Sequence, residues 1–239
     1  MLLLVPTFLG PAPASDLFPQ KLLDAVSSAR YFVVENSKTA RQQLKLLHPG
    51  IVQADLVVHE LDKHHPEQGI RDFLAPAASG ETVVLMSEAG VPGVADPGAL
   101  VVAEAHRMGI RVVPLVGPSS LLLALMASGL NGQHFAFNGY LPVDAAARKK
   151  AWQALEARST QSPGVPSTQL IIETPYRNGA TWESALAALQ PETRLCVAVD
   201  LTLATEWISM RTVREWRAVA APNLHKRPSI FLIQADGRR

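Results

Sequence analysis

The sequence has a single cysteine, Cys196, and few aromatic side chains, at 6% of the residues. One cysteine excludes an intrachain disulfide framework and any CxxC metal or redox site. Cys196 lies in an apolar run that predicts a buried strand, so we expect it to be a small core side chain. With 48% hydrophobic and 18% charged residues among 239, the chain can bury a sizeable, mainly aliphatic core, which excludes disorder as its main state.

The chain also lacks an excess of charge of either sign. It has 22 Lys and Arg against 21 Asp and Glu, for a formal net charge of +1. Binding of nucleic acid by bulk electrostatics needs a concentrated basic surface, which this balance does not supply. Any contact with RNA must therefore come from local groups, for which the candidates are Lys38, Arg148, Lys149, Lys150 and Arg177.

Long apolar runs are missing as well. Residues 1–5 are apolar but lack a preceding basic region and stop at Pro6, so they are too short for a signal sequence or a membrane span. No later run reaches about 18 residues. We therefore expect a cytoplasmic protein with no membrane segment.

Short aliphatic runs alternate with helical patterns, which is typical of an α/β fold. The predicted strands are residues 2–6, 31–35, 55–58, 82–86, 111–114, 169–172, 195–199 and 230–233. The predicted helices are a segment capped by Asp16 that contains Leu22, Leu23 and Val26, followed by residues 39–47, 66–77, 97–108, 119–128, 144–158 and 177–189. Because the strands are continuously apolar, we expect burial on both faces and a mostly parallel sheet.

The chain is long enough for two small domains. We place an N-terminal α/β domain at residues 1–134 and a C-terminal α/β domain at residues 135–239, with the passage to the second one near residues 135–142. Residues 159–167, rich in Ser, Pro, Gly and Thr, are predicted to form a flexible surface loop.

Several common ligand motifs are absent. The chain has no G-x-G-x-x-G, no G-x-x-x-x-G-K-[ST] and no G-x-S-x-G, so it lacks the dinucleotide fingerprint, the P-loop and the hydrolase elbow. His59 and Glu60 open an apparent HExxH, but Lys63 stands where the second histidine is needed. We predict no metal site there and favour a polar loop.

Three predicted strands end in loops rich in small residues and proline, at residues 6–10, 87–98 and 116–120. Ligands of parallel sheets bind beyond the carboxyl ends of the strands, where small residues let them approach the backbone. Any one of these loops could simply form a turn. Three loops at one predicted edge favour a ligand cleft.

Seven segments resemble, in order, the tetrapyrrole (corrin/porphyrin) methylase superfamily of S-adenosylmethionine-dependent methyltransferases. The most specific match is Ser87-Glu-Ala-Gly-Val-Pro-Gly-Val-Ala-Asp-Pro-Gly98, which is similar to the family's S-D-A-G-T-P-x-I-S-D-P-G. The other segments are Leu4–Gly10, Glu35–Thr39, Arg111–Ser120, Phe137–Pro142, Glu173–Arg177 and Asp200–Glu206. Within the superfamily, the chain resembles most the branch that methylates a cytidine 2′-hydroxyl of small-subunit ribosomal RNA.

The resemblance implies two α/β domains with a cofactor cleft between them, a homodimer, and S-adenosylmethionine held largely by backbone groups. The implied cofactor contacts are Pro6, Ser87, Ala89, Gly90, Val91, Val94, Ser119, Ser120, Ile172, Leu201 and Ser229. The implied partner besides a second copy is ribosomal RNA or the small ribosomal subunit.

Polar residues at or near strand ends are the candidates for chemistry. Deprotonating a ribose hydroxyl calls for a carboxylate, or for a lysine or arginine that stabilises an alkoxide. Of the polar residues at or near strand ends, which also include Glu88, the candidates for the catalytic site are Glu35, Lys38, Arg177 and Glu206. Lys38 and Arg177 could also contact a phosphate. For each of them a structural role remains open: Glu35 could be a capping or interface acid, Lys38 and Arg177 could be solvated surface charges, and Glu206 could be structural.

The chain departs from the family pattern at Asn36, Lys38, Val91, Tyr176 and Asp200, where the family has Asp, Arg, Thr, His and Glu. These departures leave two alternatives open. The enzyme could methylate a tetrapyrrole or another small metabolite, or the chain could bind S-adenosylmethionine without catalysing a reaction.

Overall fold

A computed structural model describes residues 1–160 and 165–235. Its contacts divide the chain into two compact units, Met1–Ser119 and Ser120–Arg239. The boundary expected from the sequence, between residues 134 and 135, lies on the other side of helix α7 (Ser120–Ser128), which packs on strands of the second unit. No helix in the described ranges is long and apolar enough to cross a membrane.

The first unit is built on a parallel sheet of five strands with the order β3-β2-β4-β1-β5. The strands are β1 (Leu2–Val5), β2 (Tyr31–Val34), β3 (Val57–Glu60), β4 (Val83–Met86) and β5 (Val112–Pro114). Because all five run in the same direction, their carboxyl ends share one edge of the sheet, and the loops that follow them begin there.

Helices cover both faces of this sheet. They are α1 (Ala14–Leu17), α2 (Gln20–Ser28), α3 (Ser37–Leu47), α4 (Ile70–Phe73), α5 (Ala75–Ala78) and α6 (Gly98–Arg107). Alternate residues of β2 enter opposite cores: Phe32 and Val34 join the core under α2 and α3, whereas Val33 joins the core under α4, α5 and α6. Burial on both faces explains why these strands are continuously apolar.

The second unit is built on a mixed sheet with the order β6-β7-β10-β8-β9. Its strands are β6 (Phe135–Tyr140), β7 (Thr168–Glu173), β8 (Arg194–Val199), β9 (Trp207–Thr212) and β10 (Ser229–Gln234), and its other helices are α8 (Ala145–Ser159), α9 (Asn178–Ala188) and α10 (Val213–Arg217). Only β6 and β7 pair in parallel, and every other pair is antiparallel. The core contains the buried Trp152 of α8, Trp182 of α9 and Phe231 of β10.

The structure corrects several expectations in the second unit. The sheet is not mostly parallel, although β10 is buried along its whole length. Residues 135–142, expected to be a passage between domains, contain the edge strand β6. Strand β9 and helix α10 were not predicted; β9 lies at the other edge and is half exposed, so it lacks the apolar run that marks the inner strands. Part of the loop expected at residues 159–167 lies outside the described residues.

The first unit differs from expectation in three places, and its parallel sheet is as expected. Asp16 does not cap α2, which begins after Pro19; Asp16 lies in the short helix α1 instead. The helix expected at residues 66–77 is two single-turn helices, α4 and α5. His59 belongs to β3 rather than to a polar loop, and its ring stacks on Phe73 with 4.5 Å between the ring centroids.

Asn36 supplies the N-cap of α3. Its side-chain oxygen accepts a hydrogen bond from the Thr39 N–H at 2.9 Å. We expect Asn36→Ala to lower the free energy of unfolding by about 1 kcal/mol, because a backbone N–H of the first turn loses its partner. Urea unfolding followed by circular dichroism measures this change. Asn36→Ser keeps an oxygen acceptor and is the matched control; equal losses in both variants would contradict a capping role.

Candidate functional site

Three strands of the first sheet end side by side. Val5 of β1 and Val34 of β2 both pair with Met86 of β4, so the three chains leave the sheet at the same level. The next residues are Pro6, Glu35 and Ser87. The sequence separates them by up to 81 positions, and the parallel register brings them to one edge.

A short antiparallel bridge closes this edge. The N–H of Thr7 donates to the Gly90 carbonyl at 2.8 Å, which joins the loop after β1 to the loop after β4. The Thr7 hydroxyl donates to the Ser87 carbonyl at 3.3 Å, and the Ser87 hydroxyl donates to the Gly90 carbonyl at 3.1 Å. Thr7 and Ser87 are buried, so their hydroxyls serve to fix the two loops.

Glycines at this edge allow backbone segments to approach closely. Gly90 has a φ of +77°, which side chains rarely tolerate. A Cβ on Gly117 would lie 2.5 Å from Cβ of Pro6, and a Cβ on Gly90 would lie 3.6 Å from the Pro118 carbonyl oxygen. The loops after β1, β4 and β5 therefore meet through backbone and small side chains. Such an edge fits a cofactor that is bound mainly by backbone groups.

Of the predicted cofactor contacts in this unit, Pro6, Ser87 and Gly90 come together directly, and the buried Ser119 ends the loop after β5. Val91 is half-buried, whereas Ala89 and Val94 are exposed on the same loop.

Asp96 stiffens the loop after β4. Its carboxylate accepts hydrogen bonds from the Gly93 N–H at 2.9 Å and the Gly98 N–H at 2.7 Å, at the start of α6. Burial raises the pKa of the Asp96 carboxyl, and these N–H groups act in the opposite direction. Ala95 beside it has a φ of +65°, a strained conformation for a residue with a Cβ.

Glu35 is the candidate base at this edge. Its Oε1 accepts a hydrogen bond from the Glu88 N–H at 2.9 Å, which fixes the carboxylate beside the loop after β4. Burial raises the pKa of the Glu35 carboxyl; the Glu88 N–H lowers it, and the carboxylates of Asp96 and Glu88 raise it again. A carboxyl whose pKa is moved toward neutrality is better suited to accept a proton. Lys38 is exposed on the first turn of α3.

In the second unit, the predicted contacts lie together at one end of the inner strands β7, β10 and β8. Ser229 starts β10 and pairs with Glu173 at the end of β7 and with Val199 at the end of β8. Ile172 on β7 and Leu201 just after β8 therefore lie near Ser229, on the two neighbouring sides of β10. Ser120 is the first residue of α7, which packs on β8, β9 and β10.

The connection after β8 contains a residue that the sequence analysis missed. Asp200 and Thr202 have positive φ values of 51° and 72°. The Thr202 hydroxyl is buried and has no hydrogen-bond partner within the described residues. A strained turn with an unpaired hydroxyl is typical of a ligand-binding position. The threonine of the D-L-T segment was the available signal, because it matches the family pattern.

Two of the predicted catalytic residues make structural contacts. Nη2 of Arg177 lies 3.0 Å from the fully buried Glu173 carboxylate and donates to the Leu141 carbonyl at 2.8 Å. Glu206 is exposed, and its carboxylate accepts the Thr202 N–H at 2.8 Å, which supports the strained turn. Their catalytic roles stay predictions.

Other candidates are placed by burial. Arg148 is 8% exposed and donates to Ser184 and to the Pro142 and Val143 carbonyls. The sequence analysis expected Arg148 to contact RNA, but its buried guanidinium is not available for that contact.

Burial raises the pKa of the Cys196 thiol to about 12, which keeps the thiol protonated. Within residues 1–160 and 165–235, no group of three or more His, Cys, Asp or Glu could hold a metal ion.

The raised pKa of Glu35 predicts a pH dependence of stability. The carboxyl contributes stability fully below its ordinary pKa, and this contribution is lost as the pH rises through the raised value. Glu35→Gln removes that loss while an amide oxygen can still accept the Glu88 N–H. The variant should therefore gain stability relative to wild type as the pH rises from the ordinary carboxyl pKa through the raised value, as measured by urea unfolding.

Glu60→Gln is the matched control. Hydrogen bonds from Ser37 lower the pKa of the Glu60 carboxyl, so its contribution is present at neutral pH and lost as the pH falls. The two variants should shift the pH profile in opposite directions. A Glu35→Gln profile parallel to that of wild type would contradict the raised pKa.

Comparison with known proteins identifies the family. The family model described as Tetrapyrrole (Corrin/Porphyrin) Methylases matches residues 9–215. Two similar relatives are both named "Ribosomal RNA small subunit methyltransferase I". The protein of Escherichia coli O157:H7 is 29% identical over 97% of this chain and 78% of its own length. That of Neisseria meningitidis serogroup A is 31% identical over 89% of this chain and 69% of its own length.

Solved structures agree with this fold. The methyltransferase CobJ superposes with a TM-score of 0.62 at 19% identity, covering 100% of this chain and 95% of its own. Uroporphyrin-III C-methyltransferase from Thermus thermophilus, solved in complex with S-adenosylhomocysteine, gives a TM-score of 0.54 at 16% identity, over 98% of this chain and 96% of its own. Since the family model covers most of the sequence, the chain belongs to the tetrapyrrole (corrin/porphyrin) methylase family and is an S-adenosylmethionine-dependent methyltransferase.

Proposed function

We propose that this enzyme transfers the methyl group of S-adenosylmethionine to a ribose 2′-hydroxyl of small-subunit ribosomal RNA, and that it does so in the cytoplasm. One observation carries the substrate assignment: relatives named as small-subunit ribosomal RNA methyltransferases match 97% of the chain. The carboxylate of Glu35, at the edge formed by the loops after β1 and β4, supports the chemistry.

The reaction is an in-line displacement. The ribose oxygen forms a bond to the methyl carbon, the bond from that carbon to sulfur breaks, and its electron pair stays on sulfur, which gives S-adenosylhomocysteine. Most of the catalysis comes from holding the two reactants in line, which contributes about 7–11 kcal/mol in well-oriented systems. The hydroxyl proton must also leave, and we assign it to the Glu35 carboxylate, for which a raised pKa is an advantage.

We assign cofactor binding to the backbone around Pro6, Ser87 and Gly90 in the first unit, and to Ile172, Leu201 and Ser229 in the second. The support is local: each set lies at one edge of its own sheet. Lys38, exposed three residues after Glu35, is suited to a substrate phosphate. For Arg177 and Glu206 we propose a positioning role, because both hold neighbouring backbone in place.

Methyl transfer can be tested with labelled S-adenosylmethionine. Small ribosomal subunits from a strain lacking this gene should accept label in their RNA, and a pool of total small metabolites should not. Label only in the metabolite pool would identify the tetrapyrrole or small-metabolite alternative. Tight cofactor binding with label in neither pool would identify a non-catalytic protein.

Glu35→Gln tests the proposed base in the same assay. We expect kcat to fall about 10²- to 10⁴-fold, because the hydroxyl loses its proton acceptor, while the Kd for S-adenosylmethionine measured by calorimetry stays unchanged. Glu60→Gln, an exposed carboxylate on the neighbouring strand β3, should keep full activity. Equal activity of Glu35→Gln and wild type would remove Glu35 from the mechanism.

We also propose that the enzyme is a homodimer whose interface includes α7. Leu122 and Met126, one turn apart on this helix, are 52% and 79% exposed. Exposed apolar side chains at this spacing on one helix face are suited to a second copy.

Met126→Glu should therefore convert the dimer to a monomer at micromolar concentration, as measured by light scattering with size exclusion, because a buried carboxylate would have no partner. Leu46→Glu is the matched control, since Leu46 is 53% exposed on α3. A monomeric wild-type protein, or a Met126→Glu dimer as stable as the control, would contradict the proposal.

A further inference from the structure

The second unit contains a groove of about 490 Å³ between the start of α9 and the segment at residues 221–225. Its volume lies in the range of small-ligand sites. The lining includes aromatic side chains, a histidine and an acidic side chain, among them Tyr176, Trp182, Glu183 and His225. A Cβ on Gly179 would meet nothing within 4 Å, so the first turn of α9 leaves open space beside the groove.

Tyr176 is unusual in its exposure. It is 76% exposed, whereas Trp182 next to it in the groove is 3% exposed. The charged end of Lys226 lies over one face of the Tyr176 ring, 5.9 Å from its centre, and His225 is exposed beside the lysine. An aromatic ring this exposed can stack a base on its other face while the neighbouring lysine contacts the phosphate.

The backbone holds this arrangement in place. Lys226 has a φ of +59°, which is strained for a residue with a Cβ, and its N–H donates to the Pro175 carbonyl at 3.1 Å. Asn178, which is completely buried, donates from its side-chain nitrogen to the Leu224 carbonyl at 3.2 Å and to the Arg227 carbonyl at 2.6 Å. The segment that carries Lys226 is thus tied on both sides to the loop that carries Tyr176.

We propose that Tyr176 and Lys226 bind one nucleotide of a single-stranded part of the RNA substrate, with the base stacked on Tyr176 and its phosphate on Lys226. The inference rests on the proposed function and adds a substrate contact to it. Single-stranded RNA is recognised by stacking of unpaired bases on aromatic rings, combined with basic groups along the backbone. The Glu183 carboxylate, which also lines the groove, can accept a hydrogen bond from an exocyclic amino group of a base.

Fluorescence anisotropy of a short, labelled single-stranded RNA with S-adenosylhomocysteine present tests the proposal. Tyr176→Ala should weaken binding about 10-fold, because one stacking contact is lost, and Tyr176→Phe should bind as wild type does. In the methylation assay, Tyr176→Ala should raise KM for small subunits by a similar factor and leave kcat and the Kd for S-adenosylmethionine unchanged.

The lysine is tested by salt dependence. Lys226→Gly should reduce the slope of log K against log salt by about 0.7, the value for one phosphate contact to a single strand. Glycine adopts a φ of +59° without strain, so this variant should keep its Tm or gain stability. Lys63→Gly, an exposed lysine in the loop after β3, is the matched control and should leave the slope unchanged.

The outcomes separate this site from the proposed function. If wild type binds and methylates ribosomal RNA but Tyr176→Ala and Lys226→Gly match it in affinity and salt slope, the groove is not a substrate contact and the function stands. If Tyr176→Phe is as weak as Tyr176→Ala, stacking is overturned. If wild type neither binds the RNA nor labels small subunits, both the function and the site are wrong.

Discussion

The bridge between Thr7 and Gly90 is the interaction on which the first unit's site depends. It joins the loops after β1 and β4, which are 83 residues apart, through one N–H to carbonyl hydrogen bond of 2.8 Å. The bridge fixes the loop after β4 at Gly90, and in this loop the Glu88 N–H donates a hydrogen bond to the Glu35 carboxylate. Gly90 has a positive φ of 77°, which glycine adopts without strain. Backbone geometry, rather than a set of charged side chains, therefore shapes this edge, as suits a cofactor bound by backbone groups.

The second unit fixes its edge with buried polar side chains instead. Glu173 and Arg177 form an ion pair between the end of β7 and the start of α9, and the Thr181 hydroxyl donates to the same carboxylate at 2.9 Å. Asp200 pairs with Arg227 at 2.7 Å. Breaking a buried pair leaves a charge without a partner, so such contacts fix one arrangement of the loops. Asp200 belongs to the strained turn that contains Thr202, and Arg227 follows Lys226, so this second ion pair joins the two segments.

The apolar runs of the sequence report burial but not strand direction. In the first unit, runs such as Phe32–Val34 predicted a parallel sheet correctly, since helices cover both of its faces. In the second unit β10 is equally apolar, yet both of its neighbours are antiparallel. It is buried on both faces because α7 and α8 also pack on it. The edge strands β6 and β9 were missed because they are partly exposed, and a partly exposed strand does not need a continuous apolar run.

The sequence by itself determined the family, the two α/β units and the loops around Pro6, Ser87 and Glu35, because each is written in contiguous residues with a recognisable pattern. Only the tertiary structure decided what individual polar side chains do. Arg148 is buried and donates to backbone carbonyls, Arg177 forms an ion pair with Glu173, and Tyr176 is exposed beside Lys226. Burial and pairing depend on residues far apart in the chain, so no local pattern encodes whether a charge meets solvent, a partner or a substrate.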